Sequence, residues 1–522
     1  MSTAPSSAAG RGDRPVGGRG DKPAAWFGLR PHTLLALVAI AGLIVPLSAL
    51  SQPADSVTEG GLLARQRKQS GLSQANLGEI DPASETMRFA CLGAKCIAGT
   101  LLWDRLNEYR KVEDWTSFSA TLEQIKRLYP NFYSVWDFQA HNVSYNISVE
   151  FDDYHDRYAW VMKGIEFLRE GAALNRFEPR LLNRMGWFLG QKIGRSDEKK
   201  QYRRLFKADD EFHERDRPGR SPAERDNWRV AHEKFRAAVD LADSGAPLRT
   251  TALIFHSEPM MSMINYAQAL EEEGEFGETA RDAWKLAREQ MVEYAKREIP
   301  TTWDVPIQLG RREAELETAE RIKERLEALL PGRFKAEEER RMQALPPEQA
   351  AALAVPLAER TSAQHELAAK ATPAVRVTWK DVARDAPPEL RDEALRLVED
   401  LTKAEEMAQI IQRYREIVNF DFWRATCESE VTPDALKVRE RLYTGQRELA
   451  AARLQTAKQA YEEAFETWRR VIDSQPVLQD NVLTADDVKD AVKRYRKVLE
   501  QLDEPFPKPF ILQDLLDKAP PG

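Results

Sequence analysis

Two acidic clusters that contain histidine are the residues with the clearest potential for chemistry. The first runs from Glu150 to Asp156 and the second from Asp209 to Asp216. Carboxylate oxygens beside an imidazole can hold a divalent cation. Polar turns or a solvated insert are the alternative interpretation of both clusters. The candidate ligands are Asp152, Asp153, His155, Asp210 and His213.

The three cysteines offer little redox or metal chemistry. Cys91 and Cys96 are five residues apart, which on one helix places them about 140° away from a common face. That geometry disfavours both a disulfide and a shared metal. A bridge to Cys427 is an alternative outside the cytoplasm. We predict buried thiols that act as small hydrophobic side chains.

No sequence motif for a cofactor or a catalytic nucleophile is present. The chain lacks both common glycine-rich phosphate loops, the G-x-S-x-G elbow and the H-E-x-x-H zinc motif. We therefore predict no cofactor and no catalytic residue. The chain has twelve tryptophans, and we predict that they serve mainly in packing. Those placed on inferred packing faces are Trp136, Trp160, Trp187, Trp284 and Trp468.

Composition narrows the class of protein. The 522 residues include 76 basic and 84 acidic side chains, for a formal charge of −8. This balance argues against a general nucleic-acid binder, which would carry a basic excess. An apolar fraction of 42% is enough to bury a core. At about 100–200 residues per domain, the length fits two to four domains or one extended array.

The body of the chain, from about Ser84, shows helical spacing and a recurring pattern. Two segments share steps of four, three and five residues and then restart six residues on. The first is Phe118, Leu122, Ile125, Pro130 and Trp136, and the second is Gly164, Leu168, Gly171, Arg176 and Leu182. A small residue within such a face lets a second helix approach closely. We therefore expect Gly164, Gly171 and Gly186 to be buried.

This pattern resembles the tetratricopeptide repeat, in which paired helices stack at a period of 34 residues. The resemblance covers about 99–298 and 435–505, with a charged insert at 195–220. Generic helical hairpins are the alternative. Further second-helix faces are Ala231, Phe235 and Ala238; Ala280, Trp284 and Ala287; Ala464, Trp468 and Val471; and Ala491, Tyr495 and Val498.

The run from Trp136 to Gly194 is also similar to a family of bacterial membrane-anchored helical proteins. Some members carry the label "iron responsive element". That phrase names an RNA hairpin and implies no activity for this chain.

An uncharged segment near the N-terminus predicts a membrane span. Thr33 to Leu50 contains 18 residues without a charge, a length of about 27 Å as a helix. Basic residues precede it and none follows before Arg65, which predicts a cytoplasmic N-terminus and an extracytoplasmic body. A cleaved signal peptide is the rival interpretation.

The predicted fold class is all-α, an α-solenoid of tetratricopeptide-like hairpins behind one transmembrane helix. The predicted domains are a disordered tail at 1–32, the span at 33–50, a flexible spacer at 51–83, a repeat domain at 84–300, a charged helix and Pro/Ala-rich linker at 301–390, a helical region at 391–510 and a tail at 511–522.

The leading functional hypothesis is a non-catalytic, membrane-anchored scaffold for protein–protein interaction. Stacked helix pairs build a concave surface, where we expect a protein or peptide partner, while residues 33–50 would contact the membrane. The alternatives are an enzyme or accessory subunit of an envelope or export pathway, and a divalent-metal-responsive binding protein. A pocket that joined His141 with Asp152, Asp153 and His155 would favour an enzyme.

Overall fold

The computed structural model describes residues 38–40, 42–43, 46, 50, 61–69, 95–301 and 305–519. The chain divides into two compact units, residues 1–74 and 75–522. Helix α1, Leu62–Gln69, belongs to the first unit and lies within the predicted spacer. The predicted tail at 1–32 and Cys91 lie outside the described residues.

The helices of the described chain do not support the predicted membrane localisation. Within the described ranges, no helix is both long enough and apolar enough to cross a bilayer. A span requires about 20 mostly apolar residues, whereas the 30-residue helix Pro388–Ile417 carries charged side chains along most of its length. The prediction of a single-pass membrane protein is therefore wrong on this finding. Most of the predicted span at 33–50 lies outside the described residues.

The second unit is all-α, as predicted. Between residues 95 and 519, the described chain contains no strand, only an isolated antiparallel bridge between Ile299 and Ile307. The α-helices are α2 (Lys95–Lys111), α3 (Trp115–Leu128), α4 (Tyr133–His141), α5 (Tyr154–Leu174), α6 (Pro179–Trp187), α7 (Lys199–Lys207), α8 (Asp210–Asp216), α9 (Asn227–Asp243), α10 (Ala252–Glu273), α11 (Glu278–Lys296), α12 (Arg312–Leu329), α13 (Arg333–Gln343), α14 (Pro347–Ala354), α15 (Ser362–Val375), α16 (Trp379–Arg384), α17 (Pro388–Ile417), α18 (Phe420–Glu430), α19 (Pro433–Ala450), α20 (Leu454–Asp473), α21 (Pro476–Gln479), α22 (Val482–Gln501) and α23 (Gln513–Leu516). Two π-helical segments, Asn142–Ile147 and Phe188–Ile193, continue α4 and α6, and 3-10 turns occupy Ser148–Glu150, Pro222–Arg225, Leu309–Arg311 and Leu357–Glu359.

Consecutive helices pack against each other as hairpins. The pairs include α2 with α3, α4 with α5, α9 with α10, α10 with α11, and α19 with α20. Local signals start several of these helices, since the Asp114 side chain accepts a 3.0 Å hydrogen bond from the Ser117 amide at the start of α3. The apolar positions of all four predicted second-helix faces are buried. Amphipathic spacing therefore located the core correctly.

Buried glycines allow the closest helix contacts. Gly164, Gly171 and Gly186 are all buried, as expected from their spacing. A Cβ on Gly171 would lie 2.6 Å from Cδ2 of Trp136, so α5 approaches α4 too closely for any larger residue without a shift. Gly445 occupies an equivalent contact between α19 and α20, which the sequence analysis missed. There a Cβ would lie 2.8 Å from Cε2 of Tyr461.

The charged insert at 195–220 is part of the packed structure and is not simply solvated. It carries α7 and α8. The buried Arg203 donates to Asp226 at 2.8 Å, to Asn227 at 2.5 Å and to Glu273 at 2.6 Å. These partners lie on or beside α9 and α10, so the insert is attached by charge-assisted hydrogen bonds.

Residues 301–390, expected to hold a charged helix and a linker, contribute α12 to α16. Helix α12 packs along α17, with Ala319, Ile322 and Leu326 in the shared core. Arg415, only 1% exposed at the end of α17, forms a bidentate pair with Glu313 at 2.6 and 2.7 Å. Its Nε also donates to the Leu309 carbonyl at 2.7 Å. One buried guanidinium thus joins α17 to the start of α12.

Candidate binding face

The first predicted metal cluster serves as a helix cap. Asp153 Oδ1 accepts a 2.7 Å hydrogen bond from the His155 amide and lies 2.9 Å from the same residue's Nδ1. Both side chains are more than half exposed at the start of α5, and Asp152 is also exposed. The backbone hydrogen bond from His155 lowers the pKa of the Asp153 carboxyl, so Asp153 stays ionised in its capping role.

The two candidate ligands of the second predicted cluster differ in burial. The His213 ring is fully buried, with Nε2 located 2.8 Å from the Phe206 carbonyl oxygen. Burial lowers its pKa, which favours the neutral ring. Asp210 is exposed and accepts a 2.5 Å hydrogen bond from Arg225. In the described part of the chain, no group of three or more His, Cys, Asp or Glu side chains is placed to hold a metal ion.

The burial of the cysteines agrees with the prediction only in part, and the surroundings of His141 differ from those expected. Cys427 is buried as predicted, and burial raises the pKa of its thiol to about 12, but Cys96 is exposed. The His141 ring stacks on Tyr145 at 4.6 Å, with an interplanar angle of 9°, and meets Phe188 edge-on. Its charged neighbours are Arg184, Asp137 and Lys192. Asp152, Asp153 and His155 are not among these neighbours.

A different group of side chains converges where α4 and α6 run into their π-helical segments. A π-helix widens the turn by shifting hydrogen bonds to i→i+5, and such turns are frequent at functional sites. We call this surface the π-helix face. It consists of Asp137, His141, Tyr145, Arg184, Trp187 and Lys192.

Ion pairing and ring contacts organise the π-helix face. Nε of Arg184 donates to Oδ1 of Asp137, which links α6 to α4. The Arg184 guanidinium also lies 4.5 Å from the centre of the Trp187 ring. The Trp187 and Tyr145 rings are 5.8 Å apart. Trp187, predicted to lie on a packing face, is partly buried and packs against the hydrophobic core.

Lys192 is the unusual cation of this face. The residue is only 7% exposed, and its Nζ lies 4.6 Å above the centre of the Tyr145 ring. Burial lowers the pKa of Lys192, although Glu198 acts in the opposite direction. Burial also raises the pKa of Tyr145 to about 12, so its hydroxyl stays protonated near neutral pH. Because burial penalises the charged form of Lys192, a ligand that brings negative charge near its ammonium group would be favoured.

An apolar groove adjoins the π-helix face along α4. It has a volume of about 580 Å³ and also takes in Cys96, Gly99, Thr100 and Ser134. We call it the aromatic groove, after its main lining residues Trp103, Tyr129, Phe132, Val135 and Phe138. Phe132 and Phe138 are 58% and 55% exposed, and Trp103 meets Phe138 edge-on at 5.4 Å. Exposed aromatic clusters of this kind are typical of interaction sites.

Sequence reasoning missed Tyr145 and Lys192. Lys192 lies three residues after the buried Leu189 and one before the buried Ile193, so helical spacing places it beside the buried face. A lysine in such a position ordinarily extends its ammonium group to solvent, and the sequence carries no distinct signal for its position over Tyr145.

No family model, no curated protein and no solved structure gives a significant match to this chain. The assignment of a function therefore rests on the arrangement of the π-helix face and the aromatic groove.

Proposed function

We propose that this chain is a non-catalytic scaffold that binds a segment of a protein partner. The observation that carries the proposal is the aromatic groove, whose large rings stay exposed beside the cations of the π-helix face. Aromatic side chains supply much of the binding energy in protein interfaces. The six side chains of the π-helix face comprise rings, two cations and one carboxylate, which suit binding better than bond cleavage.

We infer that the helices form tetratricopeptide-like repeats stacked as an α-solenoid. Support comes from consecutive hairpin packing and from the buried glycines at helix contacts. In such an array one helix of each pair lines a common surface. Phe138 and His141 of α4 and Tyr145 of its π-helical continuation follow each other at steps of three and four residues, so they lie along one side.

The surface specifies a partner segment with an apolar anchor followed by an acidic side chain. The anchor fits the groove at Phe138, and the acid meets Lys192 and Arg184. At a rise of roughly 1.5 Å per residue, Tyr145 on the π-helical continuation of α4 lies about 10 Å from Phe138 along the helix axis. A segment of a few extended residues covers that distance. Charge complementarity between the acid and Lys192 orients the segment.

Selection of random peptides displayed on phage against the full chain tests this proposal. We expect enriched peptides to pair a large apolar residue with Asp or Glu. Phe138→Ser should weaken binding of such a peptide about tenfold or more, the loss typical of an anchor residue. Leu357→Ser is the matched control, since Leu357 is 69% exposed and does not line the groove.

The cationic half of the surface has its own test. Lys192→Met keeps the aliphatic stem but removes the charge, so it should weaken an acidic peptide and not the same peptide carrying Gln or Asn. Equal loss for both peptides would show that Lys192 acts only through packing. Equal binding by wild type, Phe138→Ser and Leu357→Ser would refute the groove as the binding surface.

A further inference from the structure

A further pocket lies where α11 packs against α18 and the 3-10 turn Leu309–Arg311. It has a volume of about 300 Å³, and we call it the cationic pocket. The side chains that α11 contributes recur at steps of three and one, which is the spacing of a single helix face. They are Arg288, Met291, Val292, Ala295 and Lys296. The turn contributes Arg311, and α18 contributes Arg424 and Glu428.

The middle of this α11 face is apolar. Met291 is 2% exposed and belongs to the core that α11 shares with α18, and Ala295 packs against that core. Val292 is 48% exposed, so an uncovered apolar surface remains between the charged ends of the face. Covering this surface with an apolar group would be favourable, because burial removes apolar surface from water.

Positive charge exceeds negative charge in the lining of the cationic pocket. Among its described lining residues four are cations and one, Glu428, is an acid. Arg311 and Arg424 each donate to a carboxylate outside the lining, at 2.8 and 3.3 Å. Within the described ranges, Arg288 and Lys296 have no carboxylate at ion-pair distance. The chain as a whole carries a formal charge of −8, so this local excess of positive charge opposes the overall balance and favours an anion.

Two of the cations lie at the same end of the pocket. A Cβ at Gly310 would lie 2.9 Å from the Ala295 carbonyl oxygen, so the turn and the end of α11 are in close contact there. The next residue in each segment is a cation, namely Lys296 on α11 and Arg311 in the turn. Arg288 lies on α11 about 12 Å before Lys296, at a rise of roughly 1.5 Å per residue. The apolar surface lies between these two ends.

We propose that the cationic pocket binds a small amphiphilic anion, namely a carboxylate on an unbranched apolar chain of about eight carbons. The carboxylate binds at Lys296 and Arg311, and the chain covers Val292. The size of the pocket supports this class, because at about 30 Å³ per water-sized group a volume of about 300 Å³ holds about ten non-hydrogen atoms. The described lining shares no residue with the π-helix face or the aromatic groove, so this site is separate from the proposed partner-binding surface.

Calorimetric titration of the full chain with octanoate tests the proposal. We expect saturable binding with a dissociation constant below about 1 mM. Octan-1-ol keeps the chain without the charge, and butanoate keeps the charge on a shorter chain. Each should bind at least about tenfold more weakly, because the alcohol loses charge-assisted hydrogen bonds and butanoate loses buried methylene groups.

Substitutions locate the site. Lys296→Gln removes the unpaired cation at the carboxylate end and should weaken octanoate binding about tenfold. Lys285→Gln is the matched control, since Lys285 is exposed on the same helix and does not line the pocket. Phe138→Ser, in the aromatic groove, should also leave octanoate binding unchanged.

Three results would overturn the proposal. One is the absence of saturable octanoate binding below about 10 mM, and another is equal affinity for octanoate and octan-1-ol. The third is equal octanoate affinity of the Lys296→Gln and Lys285→Gln variants. A loss caused by Phe138→Ser would place the octanoate site in the aromatic groove, which contradicts this proposal and leaves the partner-binding function standing.

Discussion

Gly171→Ala tests the close approach of α4 and α5 that underlies the repeat pattern. The new Cβ would lie 2.6, 2.8 and 2.9 Å from three ring atoms of Trp136. The indole is fully buried, and its Nε1 is bound to the Pro130 carbonyl at 2.9 Å, so the ring has no free space to move into. We therefore expect the substitution to destabilise the fold even though alanine favours helix.

Two opposing effects set the change that Gly171→Ala makes in the free energy of unfolding. Overpacking a buried contact costs about 1–3 kcal/mol. Replacing glycine with alanine inside a helix returns about 0.5–1 kcal/mol. The difference is a loss of about 0–2.5 kcal/mol, with a central value of about 1 kcal/mol, in the free energy of unfolding. Urea titration followed by tryptophan fluorescence and by circular dichroism measures it, provided both probes give the same transition.

Ala173→Gly on the same helix isolates the helix-propensity effect. Ala173 is exposed, so its replacement should cost only about 0.5–1 kcal/mol. Relief of the clash is tested by Trp136→Leu, in which Gly171→Ala should become neutral or stabilising. That outcome corresponds to a coupling energy of about 1–3 kcal/mol. If Gly171→Ala instead stabilises the wild type by as much as Ala173→Gly destabilises it, the two helices do not approach closely and the reasoning fails.

The remaining predictions concern a buried ion pair and metal binding. Glu313→Gln should cost about 2–3 kcal/mol in a urea titration, because it leaves the buried guanidinium of Arg415 without its bidentate partner. Glu315→Gln, which breaks a pair with the exposed Arg311, should cost under about 1 kcal/mol, and equal losses would contradict the difference in burial between Arg415 and Arg311. Hydrogen bonds from Arg415 lower the pKa of Glu313 to about 2, so the pair's stabilisation is present above the usual carboxyl pKa of 4.5 and is lost as the pH falls towards 2. Calorimetric titration of the full chain with Ca²⁺, Zn²⁺ or Fe²⁺ should give no saturable heat at micromolar metal, and a heat removed by Asp153→Asn would support the metal-responsive alternative instead.

Local pattern was sufficient for the helices and much of the core. Phe235 and Trp468 are buried where helical spacing placed them, and Gly171 packs against a ring where a small residue was required. These features depend on neighbours three or four residues away, which is the range over which a helix brings side chains together. The membrane prediction failed in the described chain, where no helix meets the requirement for a span.

The candidate sites depended on contacts between distant segments. Lys192 was not identified, because its position over Tyr145 joins two π-helical segments that are far apart in sequence. The insert at 195–220 looked solvated, yet Arg203 is buried by carboxylates 23 and 70 residues away. A charged residue has the same identity in solvent and in a buried pair, so sequence alone does not distinguish the two.

The amino-acid sequence by itself determined that this protein is helical, where its hairpins pack most closely and which apolar side chains form the core, since these follow from short-range periodicity and size. Only the tertiary structure decided which charges are buried and which rings stay exposed. Those outcomes depend on desolvation and on electrostatic interactions between helices, and both are set by the arrangement of the whole described unit.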